Sequence, residues 1–309
     1  MKEPTVSVVM ASYNEEKFIE QAIESLLNQS YSSFEFIIVD DGSDDGTRNI
    51  IKSFDDCRIR MIVNESNKGL PASLNRGIQA ATGTYIARMD ADDRSLPKRL
   101  EKQVNVLNNQ PDTQVVGCWI NVIDGTGSKI GTVEYEELDG DPKVVKDKGP
   151  GIAHPSAMFR KSIFDQVGGY REEFTYAQDL DLWVRIARMS DGGFIQIIPE
   201  ILFERRVTPE TFSNKPLKNE FGKYAGAVSS ETFSLDEIES EVTELPLEMR
   251  DFIFNYKSGR WSLRDGYRKK SLCHFVKAIK YRPYSIRAWY GLFLWFLPQV
   301  VRKHLTQMT

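Results

Sequence analysis

The 309-residue chain has only three cysteines, Cys57, Cys118 and Cys273, odd in number, far apart and without metal-ligand spacing. That excludes a disulfide framework and favours free thiols in a reducing compartment. Net charge is equally sparse, −4 overall, which gives no reason to expect a nucleic-acid partner. There is no G-x-G-x-x-G and no P-loop sequence, so neither a dinucleotide fold nor a P-loop ATPase is supported. Residues 1–12 lack a basic n-region and show no secretion signal, which makes a cytoplasmic location the default. Long apolar runs are missing too. The run AWYGLFLWFL, Ala288 to Leu297, would reach only about 15 Å as a helix against a hydrocarbon core of about 30 Å.

What is there is an ordinary globular balance, 41% hydrophobic and 27% charged, enough for one large domain and an appendage. Short apolar runs at 5–11, 34–40, 58–63 and 84–90 read as strands, and amphipathic segments near 15–28, 45–54 and 71–81 read as helices. The alternation implies βαβ units and a parallel sheet covered on both faces. Asp40-Asp41-Gly42-Ser43 follows the second strand as a turn, Asp44 is placed to cap the next helix, and Pro71 to open the third.

After Pro97 a helix to about Asn108 leads to strands at 114–123 and 129–134, then to a charged, mobile stretch at 134–151 of the kind that covers sites. A strand near 156–160, a helix near 178–189 and two strands near 194–206 complete the first domain. Beyond Pro216 the chain reads helical and divides by charge. Residues 217–251 carry nine acids against Lys218, Lys223 and Arg250, whereas 257–303 carry twelve Lys or Arg against Asp265 alone.

In an open α/β sheet, ligands bind beyond the carboxyl ends of the strands. Those ends deliver Ser12 to Glu16, Asp40 to Ser43, Asn64 to Gly69, and Asp90-Ala91-Asp92-Asp93. Acids gathered at one sheet edge repel one another unless a cation or hydrogen-bonding ligand joins them. Two carboxylates one residue apart in MDADD can hold Mg²⁺ or Mn²⁺ and leave positions open for phosphate oxygens. The bland reading of that segment is a solvated acidic turn, and its place after a buried strand favours the metal.

The ordered set VSVVMASYNEE, VDDGSDDGT, NKGLPASLNRGI, MDADD, GIAHPSAMFRKSIFDQVGGY and AQDLDLWVRIA resembles the family 2 glycosyltransferases over roughly residues 5–213. The resemblance implies a GT-A fold, a Rossmann-like doubly wound mixed α/β sheet in residues 1–215 with a helical C-terminal extension over 216–309. The nucleotide-sugar half would occupy about 1–96 and the acceptor half 97–215. It further implies inverting transfer from a nucleoside diphosphate sugar, a UDP-sugar first of all, to a glycan or lipid-linked acceptor in polysaccharide or glycoconjugate biosynthesis, with a divalent cation. Carried over by position, Asp41 would bond the nucleobase, Tyr13 lie near its ring, and Ala11 and Glu15 line the base pocket. Asp90 would face the ribose or metal, Asp92 be the principal metal ligand, and Asp179 the base. Two departures stand out: Gln178 replaces the Glu of the family's Glu-Asp pair, and Thr208 stands where many relatives have His.

The chemistry fits these roles. Sugar transfer passes through an oxocarbenium-like state and needs a base opposite the departing group. Metal charge stabilises the departing diphosphate, so no protein acid need protonate it. Asp179 could instead be a helix N-terminal acid favoured by the dipole, with Asp181 in its place as base. His154 is more often a hydrogen-bonded structural residue than an acceptor contact, and Trp183 more often core than a sugar platform. Gly168-Gly169-Tyr170 most simply ends a helix. A sugar nucleotidyltransferase would call for a basic, Gly-rich loop where SYNEE stands. A non-catalytic carbohydrate-binding protein would not need the acids, and a processive synthase would carry Gln-x-x-Arg-Trp and spanning helices. Finally, residues 284–303, with Arg282 and Arg287 before the apolar run and Arg302 and Lys303 after it, suit either an interfacial helix on anionic lipid or a packed helix at the catalytic domain or a homodimer contact.

Overall fold

A computed structural model describes residues 5–136, 145, 151–189, 194–212 and 245–297. The first four strands are β1 (Val6–Ser12), β2 (Phe34–Asp40), β3 (Ile59–Val63) and β4 (Tyr85–Asp90). Between them lie α1 (Ile19–Leu27), α2 (Thr47–Ser53) and α3 (Leu70–Ala80). The strands β1, β2 and β4 are buried along nearly their whole length, as their continuous apolar runs require when helices cover both faces. In α1 the buried positions Ile19, Ala22, Ile23 and Leu26 recur at helical spacing and turn the polar face to solvent. Pro71, whose missing amide costs nothing in a first turn, stands at the start of α3.

The chain continues through β5 (Arg94–Ser95), α4 (Arg99–Asn109), β6 (Val115–Ile123) and β7 (Lys129–Val133). A 3₁₀ turn at His154–Ser156 precedes β8 (Met158–Arg160), α5 (Ser162–Val167), α6 (Gln178–Met189) and β9 (Ile195–Arg206). Among the described residues nine strands form one sheet in the order β3-β2-β1-β4-β8-β6-β9-β5, with β7 paired to β6. Strands β1 to β4 run parallel, and β8 is antiparallel to both β4 and β6, so the sheet is mixed. The register sets Ser12 beside Asp40, Asp40 beside Val63, and Ala11 beside Asp90. Three βα loops therefore open at one edge.

Where two strands were expected near 194–206 there is one, β9, running through Pro199 and Glu200, both exposed. Proline keeps a strand-compatible φ and forfeits only its own amide donor, so a strand passes through it where that donor is not needed. The charged stretch at 134–151 lies mostly outside the described residues.

The described residues form two compact units, the first from residues 5–120, 134–136, 145, 151–189 and 194–205, the second from 121–133, 206–212 and 245–297. In the first, Trp183 of α6 is buried with its ring stacked on Phe159, centroids 5.2 Å apart. In the second are α7 (Leu247–Arg264), α8 (Arg268–Tyr281) and α9 (Ile286–Phe296). There Val122, Ile130 and Val207 pack with Phe254 and Trp261, and Ser262 Oγ donates to the Ile130 carbonyl at 2.9 Å. Phe275 of α8 and Leu294 of α9 close on Leu263 of α7. Among the described residues no helix is long and apolar enough to cross a membrane. Arg302 and Lys303 lie outside them.

Candidate active site

The loop after β1 is clipped to the loop after β2 by side chains. Asn14 Nδ2 donates to Asp44 Oδ1 at 2.8 Å and Asn14 Oδ1 accepts the Asp44 amide at 3.0 Å. The Glu15 amide donates to Thr47 Oγ1 at 2.7 Å, and Glu16 Oε2 accepts the Gly46 amide at 2.9 Å. Asn14 holds φ at 56°, a left-handed conformation that Asn adopts more readily than most residues because its short amide bonds locally. The outcome is a fixed loop that leaves Tyr13 45% exposed. The expected cap at Asp44 is not formed, because Asp44 is committed to Asn14. Instead α2 begins at Thr47 with Gly46 at the N-cap position and no side-chain cap, while Asp45 Oδ1 accepts the Thr47 amide at 2.9 Å.

Asp41 is buried and acts as the hub of the third loop. Its Oδ1 accepts from Asn64 Nδ2 at 2.6 Å and the Lys68 amide at 2.8 Å, and its Oδ2 accepts the Gly69 amide at 2.9 Å. A carboxylate offers about four lone-pair sites, so three bonds leave room on Oδ2 for one more donor. The approach of the two loops depends on Gly42, at φ +78°, where a Cβ would come within 2.8 Å of the Ser66 carbonyl carbon.

At the end of β4, Asp90, Asp92 and Asp93 bring one carboxylate oxygen each within 4.8 Å of one another. Asp93 was not among the expected ligands, although it sits in the same MDADD run. Burial, then the Asp90 carboxylate, push the Asp92 carboxyl up to about 6, while Arg205 and Arg88 pull the other way. Arg88, buried within β4, forms an ion pair with Asp90. Burial opposes the Arg88 charge, and the Asp90 carboxylate more than offsets it, so its pKa is raised. Three hard oxygen donors fit Mg²⁺ or Mn²⁺, which take carboxylates and leave positions for phosphate oxygens.

Ala11, Tyr13, Glu15, Asp41, Asp90 and Asp92 together line a cavity of about 320 Å³. Asn67 and Gly69, in the loop after β3 that the sequence places at the same sheet edge, and Leu70 add to its wall. The cavity therefore holds an aromatic ring, a buried carboxylate and an acidic end.

The remaining residues divide by burial. His154 is buried with Nε2 2.6 Å from the Tyr170 hydroxyl, and burial, then Arg88 and Arg205, hold its pKa well below the ordinary value. Asp181 is fully buried against Arg185 at 2.8 Å and Trp183 is core, so neither side chain is presented to a substrate. Asp179 is half-buried at the start of α6, its Oδ1 accepting the Leu180 amide at 2.9 Å. Ala177 just before it holds φ at 58°, a conformation costing an L-residue roughly 1–2 kcal/mol. Such strain gathers where a turn must present a group in a set direction. The Tyr170 hydroxyl, raised above its ordinary pKa by burial, feels Arg88 and then the carboxylates of both Asp179 and Asp90. The start of α6 thus lies in the electrostatic neighbourhood of the end of β4.

Residues 7–168 match the family described as glycosyl transferase family 2. The putative glycosyltransferase EpsE of Bacillus subtilis is 38% identical over 218 residues, 69% of this chain and 76% of that protein. The O-antigen biosynthesis glycosyltransferase WbnJ of Escherichia coli is 36% identical over 186 residues, 59% of this chain and 71% of its own. In structure, the chain resembles residues 1–349 of S. aureus TarS solved with UDP, at a TM-score of 0.55 and 17% identity, over 98% of this chain and 90% of that one. At that identity the likeness speaks for the fold alone, a mixed α/β sheet of the GT-A type.

Proposed function

The chain belongs to glycosyl transferase family 2, and from that premise we propose that it moves a sugar, with inversion, from a UDP-sugar to a hydroxyl of a glycan or lipid-linked acceptor. The observation that carries this reading is the single cavity in which Tyr13 and Asp41 share a wall with Asp90 and Asp92. A nucleoside diphosphate has the matching order of parts: an aromatic base, a ribose and a pair of phosphates.

Asp41 can only accept, so it suits a base whose edge donates, as uracil does through its ring N–H. The exposed Tyr13 ring offers a face for the base. Asp92, with Asp90 and Asp93, would hold the divalent cation, whose charge stabilises the departing diphosphate when bound. Arg88, paired with Asp90 from within β4, orients that carboxylate. Asp179 takes the proton of the acceptor hydroxyl from the side opposite the diphosphate. Gln178 cannot ionise, so this role falls on Asp179 without a carboxylate immediately before it. Kinship with an O-antigen enzyme supports a place in building polysaccharide or another glycoconjugate.

A thermal-shift panel of nucleoside diphosphates with and without Mn²⁺ tests the donor assignment, because a ligand that binds only the native state raises apparent stability. UDP with Mn²⁺ is expected to give the largest shift. No shift with any nucleoside diphosphate would end the reading. Incubation with a UDP-sugar should then release UDP; release of pyrophosphate from a nucleoside triphosphate and sugar phosphate would identify a nucleotidyltransferase instead.

A further inference from the structure

Asn75, on α3, grips a turn 95 residues further along the chain. Its Nδ2 donates to the Tyr170 carbonyl at 2.7 Å and its Oδ1 accepts the Tyr170 amide at 2.9 Å, so one side chain takes both backbone groups of one residue. Only Asn and Gln carry a carbonyl and an amino group on one planar head, and Gln is a methylene longer. The approach needs Gly169, at φ +75°, where a Cβ would stand 2.8 Å from Asn75 Oδ1. The same turn is also held by α6. Arg185 donates to the Val167 and Gly169 carbonyls at 2.6 and 2.8 Å, and its Nε donates to Asp181 Oδ2 at 2.8 Å. Tyr170 is buried, with its hydroxyl 2.6 Å from His154 Nε2. Displacing the turn therefore breaks bonds to α3 or α6 that buried backbone groups need.

The two helices serve opposite sides of the reaction proposed above. α3 begins at the donor cavity: Gly69 and Leu70 line it, and the Gly69 amide donates to Asp41 Oδ2 at 2.9 Å. α6 begins at Gln178, so Asp179 stands in its first turn. Among the described residues Asp179 makes no hydrogen bond to a residue lining that cavity, and its distance from the donor is inherited from its helix. We infer that Asn75 is a positioning residue for transfer, which sets the place of Asp179 relative to the donor through the turn Gly168-Gly169-Tyr170. The inference rests on the reading of the cavity as the donor site and of Asp179 as the base. Reacting groups tolerate little displacement, since a shift of about 1 Å can cost about 10²-fold in rate. Losing one of the two helices that hold the turn permits such a shift.

The test is a double-mutant cycle on the full chain. It follows UDP release from UDP-glucose or UDP-N-acetylglucosamine, whichever the parent turns over, with water as acceptor, and UDP affinity alongside. Asn75→Ala removes both bonds to Tyr170. Asn75→Asp keeps the size and the acceptor for the Tyr170 amide but sets an oxygen against the Tyr170 carbonyl, and it stands in if the first variant folds poorly. Each should lower kcat roughly 10- to 100-fold with UDP affinity unchanged. In the Asp179→Asn background the same substitutions should cost nothing further, because a positioning residue acts through the group it positions. Equal losses in both backgrounds, or a loss of UDP affinity as large as the loss of rate, would overturn the inference. Amide hydrogen exchange gives a readout independent of turnover: Asn75→Ala should speed exchange at Tyr170 and across the first turn of α6, while β1 and β2 exchange as in the parent. Unchanged exchange at the start of α6 would show that the tie does not reach Asp179. A parent that neither binds UDP nor releases it would count against glycosyl transfer alone, and the exchange result would still decide whether Asn75 holds the start of α6.

Discussion

The Asp181 carboxylate lies 2.8 Å from the Arg185 guanidinium one turn further along α6, with the Asp181 side chain fully buried. Arg185 also donates to the carbonyls of Val167 and Gly169 at 2.6 and 2.8 Å, so this pair ties α6 to the end of α5. Asp179, two residues earlier, has no such burial. The two acids should therefore fail differently. Asp181→Asn leaves a buried guanidinium short of its counter-charge and should cost about 3 kcal/mol or more in urea unfolding. Asp179→Asn should unfold like the parent and keep UDP affinity, while transfer falls roughly 10²- to 10⁴-fold. Loss of UDP binding in Asp179→Asn would place that residue in the donor site.

Asp92→Asn removes a hard anionic ligand at nearly constant size. The Mn²⁺-dependent part of the UDP thermal shift should disappear, and Asp93→Asn should weaken it. Full activity of Asp92→Asn, or of the parent chain in excess chelator, would show that no cation takes part.

Gly42→Ala tests the loop approach. At φ +78° an L-residue is strained by roughly 1–2 kcal/mol, and the new Cβ meets Ser66 and Asn67 backbone atoms at 2.8 and 2.9 Å. Stability should fall by at least about that much, and UDP affinity with it, since Asn67 lines the cavity. Unchanged UDP affinity would separate the turn from the site.

His274 of α8, with Nδ1 3.0 Å from Asn255 Oδ1, is brought down to about 4 by burial, then by Lys277 and Lys270, against the pull of Asp124. Between the ordinary 6.5 and about 4 the unfolded chain binds a proton there that the folded one does not. Stability is therefore lost as pH falls through that window. His274→Gln removes this titration, so over the same window its melting temperature should fall less than that of the parent. Parallel declines would show that His274 does not titrate differently on folding.

Attack from the face opposite the diphosphate inverts the anomeric centre. NMR of the first-formed product should show inversion, and retention would refute single displacement even if Asp179 were essential.

Much of the first unit was legible because its cues are local. Continuous apolar runs mark buried parallel strands, and a parallel sheet brings their carboxyl ends to one edge, so Ser12, Asp41 and Asp90 could be grouped from the sequence, while Ala11 came from the family resemblance. A cap is less local. Asp44 reads as an N-cap in the sequence, but its bonds to Asn14 across from β1 take it out of that role and Gly46 stands at the N-cap position. The sequence by itself determined the strands, the helices and the acidic edge, because burial periodicity and turn chemistry act over a few residues. Tertiary structure alone decided which charges are matched: Arg88 with Asp90, and Arg185 with Asp181. Charge pairing falls off over a few ångströms in space, whatever the separation along the chain.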